Sequence, residues 1–299
     1  MTIIYRIVAA SAVSTALFAL PSNAQPRQGW LGLTDGLYVY QGDADLSAGG
    51  SFSASRSFLR GGALYSNGEG LSAGVLVSLG EFSYDFSATS TQPWSDIKDL
   101  RVSVPIRFPV GDRTSAFITP QFRWDYEQGV SSSDGYTYGV FAGVAWQVSP
   151  DLRIGPAFGA FTEIGSSDLD LFPALLIDWQ IDQRWALSTG TGLGATQGPG
   201  VSLTYAHDAK LSFSLSARYE SVRFRLDNAG LAPGGVGEDT SIPVVLAASY
   251  SPNPGMSFTA FVGAELNGEL ALETAAGAVV SRQDYDTAPI AGLSFRVRF

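Results

Sequence analysis

The sequence predicts an all-β protein, a transmembrane antiparallel up-and-down β-barrel of 14 strands, with 12 as the alternative count. Three observations carry that prediction. The first 24 residues have the pattern of an export signal. The chain beyond them alternates apolar and polar residues with period two over segments of ~10 residues, the length of a tilted membrane strand. It ends on an amphipathic strand, with Leu293, Phe295, Val297 and Phe299 on one face and Ser294, Arg296 and Arg298 on the other.

Composition removes several classes. The 299 residues contain no Cys, which excludes disulfides, a lipidated N-terminal Cys and thiolate zinc sites. Gly is abundant at 34 residues and charged residues make up only 15%, a poor composition for long soluble helices. A net charge of −10 argues against nucleic acid, which demands a basic face. No run of ~20 apolar residues follows the N-terminus, so a membrane-spanning helix is not expected there.

Residues 1–24 read as a signal peptide. Arg6 supplies the positive start, Ile7 to Leu20 the apolar stretch and Pro21 its break. Ser22-Asn23-Ala24 places small residues before a cut at Gln25. Residues 25–48 form a periplasmic lead-in or a first strand, and 49–299 the barrel. Counting strands from residue 50 gives thirteen. An even number brings both ends to one side, so residues 35–42 are needed as a strand if the count is 14.

The alternation is clearest at 100–108, where Leu100, Val102, Val104, Ile106 and Phe108 oppose Arg101, Ser103, Pro105 and Arg107. It recurs at 136–148, with Phe141 as an exception, and at 169–179, 211–219 and 256–266. Near Ser221 the apolar parity slips to Val222, Phe224 and Leu226, which predicts a β-bulge. Pro105, Pro156, Pro173 and Pro243 are expected at bulges or strand ends, because each removes a ladder donor. Connections alternate in length: short at 111–113, 149–151, 182–183, 207–209 and 251–255, longer at 89–98, 127–135, 195–199, 227–240 and 271–286. Long loops mark the external side, and acidic Glu238, Asp239, Asp284 and Asp286 are assigned to them. Trp146, Trp179 and Trp185 flank short turns, whereas Trp124, Tyr126, Tyr136 and Tyr138 flank the 127–135 loop, as two interfacial belts would.

The Gln92-Pro93-Trp94 segment, Leu175-Leu176-Ile177-Asp178-Trp179, Arg223-Phe224-Arg225-Leu226 and the terminal Phe-Arg-Val-Arg-Phe resemble an uncharacterised outer-membrane β-barrel family of Gram-negative bacteria, a domain of unknown function. The resemblance spans about residues 43–299. It implies fold and location in the outer membrane, and it carries no site residues.

The face opposite the apolar set would line the lumen. It carries Arg101, Arg107, Arg123, Asp125, Arg153, Glu163, Asp170, Asp178, Arg218, Glu220, Arg223, Arg225, Glu265, Arg296 and Arg298. Two readings stand side by side: a charged constriction that filters solutes, or Arg–carboxylate pairs that brace a closed interior. Gly139, Gly143, Gly155 and Gly159 share this face and would widen a pore or admit a plug. His207 is the only histidine; its register faces lipid beside a short turn, which fits an interfacial residue better than a catalytic base for a lipid-modifying barrel enzyme. No catalytic residue, metal site or cofactor is expected. Function is therefore open between a passive channel for small solutes and a structural or surface-interaction barrel. The expected partners are outer-membrane lipid and lipopolysaccharide, and the barrel-assembly machinery through the strand ending at Phe299.

Overall fold

The computed structural model describes residues 28–88, 92–166, 169–190 and 199–299. The expected leader lies outside them, as do parts of the expected connections at 89–98 and 195–199.

Fourteen antiparallel strands close into one ring. They are β1 (Gly29–Asp45), β2 (Ser51–Ser66), β3 (Ser72–Ser87), β4 (Ile97–Ser103 and Ile106–Gly111), β5 (Thr114–Glu127), β6 (Tyr136–Ser149) and β7 (Leu152–Thr162). The ring continues through β8 (Leu169–Gln180), β9 (Trp185–Thr189), β10 (Gly200–Ala206), β11 (Leu211–Arg218 and Glu220–Arg225), β12 (Val236–Asn253), β13 (Met256–Glu273) and β14 (Val279–Tyr285 and Ala288–Arg298). The strand required for an even count is β1. The start of β1, Phe299 and the short turns lie at one end of the barrel, the turn end, and the longer connections at the other, the loop end.

The ring closes where β14 pairs with β1, from Leu33↔Arg298 to Gln41↔Ile290. Closure leaves no unpaired edge, which hydrocarbon would penalise heavily. Phe299 finishes the seam. Its N–H donates to Gly32 O at 3.0 Å, and its carbonyl accepts from Gly32 N–H at 2.7 Å. The Phe299 and Phe295 rings lie on Gly32 and Gly36 of β1, where any side chain would overlap them. Phe299 is 76% exposed, so it faces outward as the terminal alternation requires.

Outward apolar side chains such as Leu59, Leu79, Leu171, Leu175, Val262 and Leu293 form the lipid-facing band. Trp146, Trp179 and Trp185 stand outward at its turn end, and Tyr136 and Tyr138 at its loop end. The rings pair within each belt: Trp185 with Tyr205 at 5.0 Å, Trp124 with Tyr136 at 5.3 Å.

The wall is uneven. Among the described residues, β12 and β13 have 18 residues each and β1 has 17, whereas β6 has 14 and β7 has 11. Beyond the described ends of β6–β10, β5 meets β11 directly. Tyr126 and Arg225 form a parallel bridge there. Asp227 N–H donates to Glu127 Oε2 at 2.8 Å, and Arg225 donates to Asp134 O at 3.0 Å. A ring of fourteen at the turn end thus becomes a ring of nine at the loop end, β11–β14 with β1–β5.

This arrangement corrects three expectations. Ser221 carries no bulge: the β11–β12 register runs unbroken from Ala217↔Val244 to Glu220↔Ser241. The polarity inverts because β11 rises above the apolar belt, so that Val222 and Phe224 fill the interior while Arg223 and Arg225 take polar surroundings. The ladder does shift in β1 between Gln41 and Ala44, and opposite Thr240 and Ile242 in β13, where Asn267 has φ 51°. The expected loop 227–240 is strand only from Val236 onward, and 271–286 is mostly strand, leaving connections of 226–235 and 274–278. Pro105 interrupts β4 as expected, but Pro156, Pro173 and Pro243 stand inside paired strands, opposite Leu175, Phe158 and Glu265. An antiparallel residue bonds one neighbour only, so each proline forfeits a single bond.

Replacing Gly36 by Leu puts a side chain where the Phe295 ring lies. The expected cost is about 1–3 kcal/mol, read as a lower temperature at which the folded, fast-migrating gel band is lost. Gly111→Ala, with open space around it, is expected to leave that temperature unchanged.

Candidate functional site: the barrel interior

The interior holds three regions. The first is a layer of paired charges. Arg56 of β2 binds Glu265 of β13, donates to Gln41 Oε1 at 2.9 Å, and lies 3.6 Å from Asp239 and 3.9 Å from Glu220. Asp239 also accepts from the Tyr84 hydroxyl at 2.9 Å and the Tyr285 hydroxyl at 3.2 Å. Arg60 pairs with Asp35, whose other neighbour is Arg296 at 3.5 Å. On β4 and β5, Arg101 and Arg123 share Asp99, and Arg123 reaches Asp125 at 3.0 Å. Charges this buried are tolerated only when paired, since each loses its hydration.

The second region fills the nine-strand ring above that layer. Phe52, Phe82, Ile97 and Phe224 are completely buried there. Trp94, just before β4, is buried inside and stands edge-on to Phe224 at 5.0 Å, Tyr84 at 5.5 Å and Phe86 at 5.8 Å. Glu127 clips the chain beside it, accepting from Ser95 N–H at 2.6 Å and from Asp227 N–H. The lumen of the tall half is therefore closed by the protein's own side chains.

The third region lies on the short half. Phe117, Phe141, Phe161, Phe172 and Leu176 of β5–β8 face inward and pack as one cluster. Ring centroids follow one another at 5.4 Å (Phe117–Phe141), 5.9 Å (Phe141–Phe172) and 6.0 Å (Phe172–Phe161). The inward glycines make this wall possible: Phe161 lies on Gly139, Phe117 on Gly143 and Phe172 on Gly159. They neither widen a pore nor admit a separate plug, because the neighbouring strands' own phenyl rings occupy the space. The facing strands β9–β11 present small hydroxyls, among them Ser188, Ser202, Ser214 and Ser216.

The expected lumen charges fall in different places. Arg101, Arg123, Asp125, Arg218, Glu220 and Glu265 belong to the paired layer. Arg107, Arg153, Asp178, Arg296 and Arg298 lie toward the turn end, where Arg153 donates to Gln147 Oε1 at 3.2 Å. Glu163, Asp170 and Arg223 border a cavity at the loop end of the phenyl wall. Burial there raises the Glu163 carboxyl above its ordinary range. Arg225 bonds to loop carbonyls on the face of β11 opposite Phe224. Glu238 and Asp239 are strand residues: Glu238 binds Arg223, while Asp239 is buried in the charge layer. His207 is exposed in a turn between the Tyr205 and Phe213 rings. The inward Asp35, Arg56, Arg60 and Asp99 were missing from the expected set. Arg56 and Arg60 could have been found, because they share a parity with Phe52, Ala54 and Phe58.

No protein-family model and no curated protein matches the chain. Solved structures do. An outer-membrane channel from Pseudomonas putida F1 superposes with a TM-score of 0.50 at 11% identity, over 92% of this chain and 97% of that one. A deletion variant of TodX, a monoaromatic hydrocarbon channel, gives a TM-score of 0.56 at 11% identity, over 97% and 96%. A FadL homologue from Pseudomonas aeruginosa gives 0.50 at 12% identity, over 97% and 95%. At these identities the likeness is one of fold: a closed membrane β-barrel.

Arg56→Met removes the cation shared by Glu265, Asp239 and Glu220. The expected loss is about 3–5 kcal/mol, measured as a lower urea midpoint in lipid vesicles. Adding Glu265→Gln is expected to restore part of that loss.

Proposed function

We propose that this chain is an outer-membrane channel for small apolar solutes, seen in a closed state, with its loop end outside the cell. The observation that carries the reading is the inward phenyl wall of β5–β8. Barrel interiors at membrane depth are ordinarily polar. A row of four phenyl rings inside is an apolar track, and it lies on the half of the barrel that the nine-strand core does not fill. Similarity of fold to channels, including one for monoaromatic hydrocarbons, supports it. Interfacial contact of the two aromatic belts with lipid and lipopolysaccharide, and recognition of the Phe299 strand by the assembly machinery, belong to the same proposal.

A structural barrel with a closed lumen is the second reading. The buried charge layer and the Trp94–Phe224 contact favour it, since both block the tall half.

Proteoliposomes holding the folded protein separate the two. Faster entry of toluene than in empty vesicles, with little gain for glucose, is expected. Phe141→Arg is expected to cut that entry at least tenfold while the folded gel band persists. Trp94→Ala is expected to raise it. Toluene entry equal to empty vesicles for both the parent and Trp94→Ala would leave the structural reading.

A further inference from the structure

We propose that the cleft between the β5–β6 and β11–β12 connections, at the loop end, is a binding site for a neutral carbohydrate, a single pyranose ring. The site does not depend on the channel reading.

The cleft encloses about 500 Å³, within the ~300–1,000 Å³ of sites that take small molecules. Ser131 and Asp134 stand on one wall, Asp227 and Asn228 on the other, and Arg225 between them.

Its shape is set by bonds within the protein. Arg225 ties the walls together: Nε donates to Asp134 O at 3.0 Å and Nη1 to Gly234 O at 2.9 Å. The buried Glu127 carboxylate fixes the second wall where it leaves β11, accepting from Asp227 N–H at 2.8 Å. Two further bonds brace the turn that follows. Asp227 Oδ1 accepts from Ala229 N–H at 2.7 Å, and Ala232 O accepts from Gly235 N–H at 2.9 Å. A cleft held open in this way loses little freedom when a ligand enters, so weak polar contacts suffice for binding.

The charges in the cleft select the ligand. Arg225 spends its two bonds on neutral carbonyls, and among the described residues no carboxylate lies within ion-pair range of it. The Asp134 and Asp227 carboxylates line the same space. An anion drawn to Arg225 would meet these two, and a cation drawn to them would meet a guanidinium that cannot turn away. Hydroxyls answer both signs, because each donates to a carboxylate or accepts from a guanidinium. Ser131 and Asn228 add neutral partners of the same kind. Val130 and the buried Leu226 complete the lining with an apolar patch, which suits the C–H face of a pyranose.

Saturation-transfer NMR tests this on the folded full-length protein in tetraethylene glycol octyl ether, a detergent without a sugar head. The probes at pH 7 are methyl α-D-glucopyranoside, its 6-carboxylate and its 6-ammonium analogue. The neutral glycoside is expected to bind at least fivefold more tightly than either charged one. Asp134→Ala with Asn228→Ala removes two exposed side chains and no backbone bond. It is expected to weaken the neutral glycoside at least fivefold while the folded gel band persists. Equal or tighter binding of a charged analogue overturns the proposal, as does the absence of any binding by the neutral one. Binding that survives the double substitution overturns it too, because the sugar then sits elsewhere. Vesicles with and without lipopolysaccharide carrying its core sugars identify the source. Loss of glycoside binding in the first makes the natural ligand the membrane's own glycan; retention makes it a free saccharide. Toluene entry is a separate readout, so each proposal can fail alone.

Discussion

A polypeptide crossing hydrocarbon must pair every backbone amide within itself, and here strands of very different length meet that requirement in one ring. Fourteen strands satisfy it at the turn end. Beyond the described ends of β6–β10, β5 and β11 would each present an edge. The Tyr126–Arg225 bridge and the Glu127 carboxylate draw the two together. The interior is divided as a result: a filled nine-strand compartment above, and a side lobe whose inner surface is free to differ.

The two interiors are built by opposite means. Along the tall strands, charge pairs hold the walls apart at a set register. A one-residue slip of β2 would turn Arg56 and Arg60 toward lipid and strand Glu265 and Asp35. The layer therefore specifies pairing as much as it stabilises it. Along β5–β8 no such pairs are needed. Inward glycines leave room, and phenyl rings from adjacent strands lie in it, so that packing alone sets the geometry.

Much of this was legible in the residues. Period-two alternation located the wall, the Trp and Tyr positions located the two belts, and the strand from Leu293 to Phe299 located the closing edge. The errors share one cause. Alternation says which side chains share a face, not which medium bathes that face. At Phe224 the interior is apolar and the exterior polar, the reverse of the membrane zone, so an inversion of medium resembled a bulge at Ser221. The same reversal made Glu238 and Asp239 look like loop residues. Trp94 belongs to a different class. Its partner Phe224 lies 130 residues away, and no local pattern could reveal that two of the sequence segments first noticed as distinctive touch each other.

The division of the interior also decides where a solute can travel. Across the tall half, a path would have to displace Trp94 from Phe224 and then separate Arg56 from three carboxylates, exposing unpaired charge in a low-dielectric space. Across the short half, the obstacle is a set of phenyl rings that touch one another and glycine backbone. Such contacts are weak one by one, and an incoming apolar ring replaces them in kind. The lower barrier therefore follows the phenyl wall. The cavity bordered by Glu163 and Asp170 stands at the loop end of that wall because it occupies the space left where the ring of fourteen narrows to nine.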